Sequence, residues 1–190
     1  ARVAGVGVTA VERDPALASL AGANAARNGV AGRLAVIAGD VTSRPTARDM
    51  AALGPYAHAM ANPPFHRGGT PSPVAARRQA GHESPEAVLA DWVAAMVRRL
   101  APRGTLTLIL PPARLPDAVA ACAAAGVGSL ALVPLWPRAG EPAKRVIVQG
   151  IRGGRAPCRL AAGLTLHGGD GGYTETVEHI LRAGAALPVA

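Results

Sequence analysis

Short apolar runs alternate along the chain with sharply punctuated helix starts. "VGVTAVERDP" holds an apolar run from Val6 to Val11 that ends in Glu12-Arg13. Asp14 can cap a helix, and Pro15 fits its first position, where the missing N–H has no partner to lose. "ALASLAGANAARNG" then predicts a helix closed by Asn28-Gly29. "RLAVIAGD" predicts a second strand over Leu34 to Ile37. Pro45 and Gly54-Pro55 mark a mixed stretch with one short helix around Ala47 to Leu53. "YAHAMANPPF" predicts a third strand, Tyr56 to Ala61, stopped by its prolines.

The next helix has the plainest signal. In "SPEAVLADWVAAMVRRL", Ser84 caps and Pro85 opens the helix. Val88, Leu89, Trp92, Val93, Met96, Val97 and Leu100 form one apolar stripe, with Pro102 and Gly104 as the stop. "GTLTLILP" predicts a strand, and "LPDAVAACAAAG" a helix ended by Gly126. "SLALVPLW" and "KRVIVQGI" predict an antiparallel closing pair. A short apolar piece at Leu164 to Leu166 and a helix near Thr174 to Ala183 complete the chain. Strands alternating with helices imply an α/β class with a parallel sheet wrapped on both sides, organised as one domain over 1–190.

Bulk properties narrow this little. At 190 residues the chain is long enough to bury a real core. No apolar run approaches the ~18 residues of a membrane span, and no secretory leader opens the chain. The two cysteines, Cys122 and Cys158, lack metal-type spacing, and reduced thiols in a cytoplasmic protein are the expectation. No metal is expected; His82-Glu83 lacks the second histidine of a zinc helix. The sequence says nothing about oligomeric state. A net charge of +8 draws phosphate and nucleic acid. An arginine-rich, alanine-rich composition accounts for it equally well. Arg67, Arg77, Arg78, Lys144 and Arg145 could contact RNA phosphate or simply form solvated faces.

In an open parallel sheet, ligands lie beyond the carboxyl ends of the strands. Glu12 ends the first strand, Asp40 follows the second, and Asn62 to Phe65 follow the third. Glu12 could take both hydroxyls of a ribose or stand solvated in a loop; Asp40 could bind a ligand, form a turn or cap a helix. The "NPPF" segment is more specific. Proline fixes φ and removes a donor, and it holds the preceding residue extended. Asn62 therefore offers its side-chain oxygen beside the Pro63 carbonyl as a fixed acceptor pair, suited to a flat amino group. Pro64 stiffens the corner, and Phe65, the one phenylalanine, is placed to stack on a planar ring. A rigid turn with a buried Phe is the plainer alternative. "GGDGG" at Gly168 to Gly172 is a loop without the ending of a phosphate loop.

These motifs together resemble the amino-methylating branch of the S-adenosylmethionine-dependent methyltransferases. "NPPFHRGG", "HESPEAVLADWV", "PLWPRAGEPAKRVIVQGIRGGRAP" and "GLTLHGGDGGYT" narrow the resemblance to bacterial tRNA (adenine-N6)-methyltransferases acting on a valine tRNA anticodon loop. It covers nearly the whole chain. It implies a Rossmann-like seven-stranded sheet of order 3-2-1-4-5-7-6, the last strand antiparallel. It implies S-adenosylmethionine as cofactor, with Glu12 at the ribose hydroxyls and Asp40 at the adenine amino group; Arg13, Val41 and Asn62 are further expected cofactor contacts. It assigns Asn62, Pro63 and Phe65 to the target amine and its ring, in an expected catalytic corner that includes Pro64. Apart from the resemblance, His66, Arg67, Lys144 and Arg145 are expected tRNA contacts. The family's glycine-rich cofactor loop precedes the ribose acid by ~20 residues. Glu12 stands too early for that, and Gly5-Val6-Gly7 precedes a strand instead of following one. The first family strand and its loop are therefore expected upstream of Ala1.

Overall fold

The structure is a computed structural model and describes residues 5–63 and 85–187. By its internal contacts the chain divides into two compact units, split at Pro55/Tyr56. Expectations that fall on 64–84, including Pro64, Phe65, His66, Arg67, Arg77, Arg78 and the Ser84 cap, lie outside the described residues.

The first unit is a parallel pair with two helices. β1 (Val8–Glu12) runs beside β2 (Leu34–Ala38), with Val8 opposite Leu34 and Glu12 opposite Ala38. Between them lies α1 (Pro15–Arg27), packed on both strands. Its start is as the sequence expects: the Asp14 carboxylate accepts from the amides of Ala16 and Leu17 at 2.8 and 3.3 Å. Gly29, at φ +66°, turns the chain out of the helix. After β2 comes α2 (Arg44–Leu53), longer at its start than the expected Ala47 to Leu53. Ser43 caps it by accepting from the Thr46 amide, which places Pro45 in the first turn, where proline is tolerated.

The second unit holds a mixed sheet of order β3-β4-β6-β5-β7, with β8 also on β5. β3 (Tyr56–Ala61) is parallel to β4 (Leu100–Leu110); β6 (Arg145–Arg152) is antiparallel to β4 and to β5 (Val127–Trp136). The closing pair is thus antiparallel as expected. β6 inserts between β4 and β5, which precede it in the chain. Two short strands, β7 (Arg159–Leu160) and β8 (Leu164–Thr165), add parallel to β5; the first of them has no apolar signal in the sequence.

α3 (Pro85–Val97) and α4 (Leu115–Ala124) pack together and cover one face of this sheet. Leu89, Val93, Met96 and Val97 meet Leu106, Leu108 and Leu110 of β4, Val146 and Val148 of β6, and Ala118, Ala121 and Cys122 of α4. Each fully buried leucine contributes roughly 1.5–3 kcal/mol. Leu100 departs from the expected helix stripe. It is 1% exposed and starts β4, paired with Tyr56. Pro102-Arg103-Gly104, read as a helix stop, instead forms a bulge inside that strand, because pairing jumps from Tyr56↔Leu100 to His58↔Thr105. Gly104 is required there: a Cβ would lie 2.9 Å from the Ala101 carbonyl and 3.0 Å from that of Ala57. α5 (Glu175–Ala183), capped by Thr174 and ended by Gly184 at φ +70°, closes the described chain.

Candidate functional site

In the first unit the parallel register brings Glu12 and Asp40 to one end of the strand pair. The Gly39 amide donates to the Glu12 carbonyl at 2.8 Å, so Asp40 begins where β1 stops. Glu12 is half-buried, and its Oε1 accepts from the Asp14 amide at 2.8 Å, which turns the carboxylate along the β1–α1 loop. Asp40 Oδ1 accepts from the Thr42 amide at 2.8 Å and the Thr42 hydroxyl at 2.6 Å. Asp40 therefore builds the turn, and helix capping falls to Ser43 instead. These bonds use one oxygen of each carboxylate. Partial burial raises the Asp40 pKa, but the Thr42 hydroxyl, the Thr42 amide and the Arg13 charge outweigh it. Asp40 is thus held below the usual carboxylate value. It is a fixed anion and acceptor at neutral pH. Arg13 is exposed beside it, and Val41 is half-buried in the turn.

The turn has its own support. Thr46, 3% exposed, sits against Gly39, and a Cβ on Gly39 would strike the Thr46 hydroxyl. Gly39-Asp40 can therefore lie close to α2 only with glycine at the first position.

In the second unit, Asn62 follows the last residue of β3, opposite the final turns of β4, with Ala61 paired to Leu108. Asn62 is exposed, whereas Pro63 is among the side chains under 2% exposed. An anchored proline thus stands beside an exposed amide. At the same sheet edge, two strands on, Lys144 and Arg145 open β6, because Leu110 pairs with Val146 and Leu135 with Arg145. Both are exposed. The Lys144 amide donates to the Leu135 carbonyl at 3.2 Å, and Arg145 donates to the Lys144 carbonyl at 2.8 Å.

Sequence reading passed over Trp136, Arg138 and Glu141, in the loop between Lys144 and the end of β5. The signal was present in "LWPRAGEPAKR", an aromatic and three cations within a strand-to-strand turn. Arg114 was passed over too. It is 7% exposed in the turn after β4 and pairs with Asp117 at 3.0 Å. Among the described residues, no group of three or more metal-ligating side chains gathers, and no helix is long and apolar enough to cross a membrane.

The parallel pair with its helices in the first unit and the helix-covered mixed sheet of the second are those of a Rossmann-like α/β fold of the methyltransferase type, with which the solved structures agree. A structure from Agrobacterium tumefaciens described as a predicted O-methyltransferase matches with a TM-score of 0.77 and 26% identity, over 98% of this chain and 82% of that one. A methyltransferase from Pyrococcus furiosus matches at TM-score 0.52 and 16% identity, covering 77% of this chain and 63% of its own. A Listeria monocytogenes protein assigned to the class I S-adenosylmethionine-dependent methyltransferases matches at 0.55 and 14% identity, over 82% of this chain and 49% of its own. No protein-family model and no curated protein matches the chain.

Proposed function

We propose that the protein is an S-adenosylmethionine-dependent N-methyltransferase acting on the exocyclic N6 of an adenine in tRNA. The observation that carries this reading is the corner after β3, with Asn62 exposed on the buried, φ-locked Pro63 at the carboxyl edge of a methyltransferase-type sheet. Support for the cofactor comes from the donor and acceptor set in the first unit. Ionised Asp40 suits an adenine amino group, and Glu12 suits ribose hydroxyls, with Arg13 and Val41 flanking them. The acceptor half of such a site fits the residues present.

The cofactor supplies an electrophilic methyl group on a sulfonium. The chain's own residues bind and orient. The Asn62 side-chain oxygen and the Pro63 carbonyl accept the two N–H bonds of the target amine, which turns the nitrogen lone pair out of the base plane toward the methyl. Phe65 stacks on the base, which leaves its helical stack at a cost of about a few kcal/mol. His66 and Arg67, next in sequence, are proposed to contact the tRNA. Most of the rate enhancement then comes from alignment, since the leaving group is already good. Lys144 and Arg145 lie along the same sheet edge and attract RNA phosphate.

The test is labelled-methyl transfer to total RNA by the natural full-length protein, with the product nucleoside identified by mass. N6-methyladenosine in tRNA is expected. Asn62→Ala is expected to lower transfer by about 100-fold or more while RNA affinity stays within twofold, since the lost contact belongs to the aligned amine. Label on an oxygen, on guanine N2, on DNA or on a protein glutamine would replace the acceptor named here. RNA binding with no transfer would make the protein a non-catalytic relative.

A further inference from the structure

We infer that the β5–β6 loop forms a second nucleotide-binding groove, which holds a base of the single-stranded RNA next to the modified one. The inference rests on the RNA reading above. The groove is an open depression of about 580 Å³ lined by Trp136, Ala139, Gly140, Glu141, Pro142 and Thr165. It lies wholly within the second unit, at the sheet edge that carries Asn62. From β3 to β5 there are three strand spacings, about 14 Å, a reach suited to nucleotides flanking a bound target.

Its walls are built to stay in place. Trp136 ends β5, and its indole N–H donates to the Ala162 carbonyl at 3.1 Å, which fixes the ring. The Trp136 carbonyl accepts from Leu166, and the Pro137 carbonyl from His167, at 2.8 and 3.0 Å. Thr174 ties the far wall by donating to the Thr165 carbonyl at 3.0 Å. The rim, by contrast, is charged and exposed. Arg138 and Glu141 pair at 3.5 Å, a solvent-screened surface contact easily exchanged for a ligand. Lys144 and Arg145 follow immediately. A fixed indole offers a stacking face, a carboxylate takes base N–H groups but repels phosphate, and the surrounding cations take the phosphates. That combination of aromatic platform and basic rim suits single-stranded nucleic acid. An acidic peptide would use the cations and leave the indole and Glu141 without a role.

The probe is a fluorescein-labelled single-stranded RNA oligonucleotide, titrated with the protein and followed by anisotropy across a salt series. Trp136→Leu is expected to weaken binding about 5- to 100-fold, the loss of one base–aromatic stack. Because that ring is also tied to Ala162, the double variant Arg138→Ala/Lys144→Ala gives an independent reading. It should weaken binding and reduce the salt slope by about 1.4, two phosphates on a single strand. Arg98→Ala, an exposed cation at the amino end of β4, serves as control. Unchanged affinity in a folded Trp136→Leu protein, or a double variant no different from the control, overturns the groove and leaves the transferase reading standing. Trp136-dependent RNA binding without methyl transfer does the reverse.

Discussion

The two cysteines, alike in sequence, live in opposite surroundings. Cys122 is 1% exposed among leucines and valines of the α4–sheet core, and Cys158 is exposed. Burial pushes the Cys122 thiol from 9.0 up to about 11. Iodoacetamide should therefore label Cys158 in the folded protein and reach Cys122 only on unfolding. The raised value also has a sign in stability. The neutral thiol's contribution is complete below 9.0 and is lost as pH rises toward about 11, because the unfolded chain ionises first. The urea midpoint should fall more steeply over that window in the wild type than in Cys122→Ala; parallel curves would contradict the assignment. The sequence places Cys122 in an alanine-rich helix and Cys158 beside a proline and an arginine, but neither setting alone ranks their burial. The same limit applies to Glu12 and Asp40. Their positions after strands were legible, but the Thr42 bonds that fix Asp40 depend on a turn whose course needs Gly39 against Thr46.

Among elements, β4 bears most of the packing. Leu106, Leu108 and Leu110 face the helices, and Thr105, Thr107 and Ile109 face the other way, half-buried. Two hydrogen bonds cross that outer face, His58 with Thr105 at 2.5 Å and Gln149 to Thr107 at 3.1 Å. Leu108→Ala removes a side chain with 0% exposure and should cost about 2–5 kcal/mol by urea denaturation. Ile109→Val on the outer face should cost about 0.5–1.5 kcal/mol at most, and equal losses at the two sites would mean the core is misplaced. Periodicity made these strands readable, and capping residues made α1 readable to its first turn. The bulge was misread for a physical reason. Pro-Arg-Gly after a helical stripe carries the same local signal whether it stops a helix or loops out of a strand, and only the β3 partner decides between them. β7 was invisible because two residues paired to a neighbour need no apolar pattern.

At the scale of the whole chain, the net charge of +8 is shared by an arginine-rich composition, and one sheet edge carries Asn62, Lys144 and Arg145 together, the placement on which the proposed tRNA contact rests. The acids argue for a cofactor, and the glycine-rich strand of the resemblance has no counterpart in the residues described here. What the sequence conveyed at this scale was the order of elements and the corner after β3. The division into two units at Pro55 was not conveyed, because no linker-like composition marks it.

β3 lies at the end of its sheet, paired with β4 alone among the described residues, and Met60 on it is 80% exposed. An open row of amides and carbonyls flanked by a greasy thioether invites a like strand from another molecule. Whatever strand or segment meets that margin would gain a ladder of backbone hydrogen bonds from it, with Met60 beside the seam.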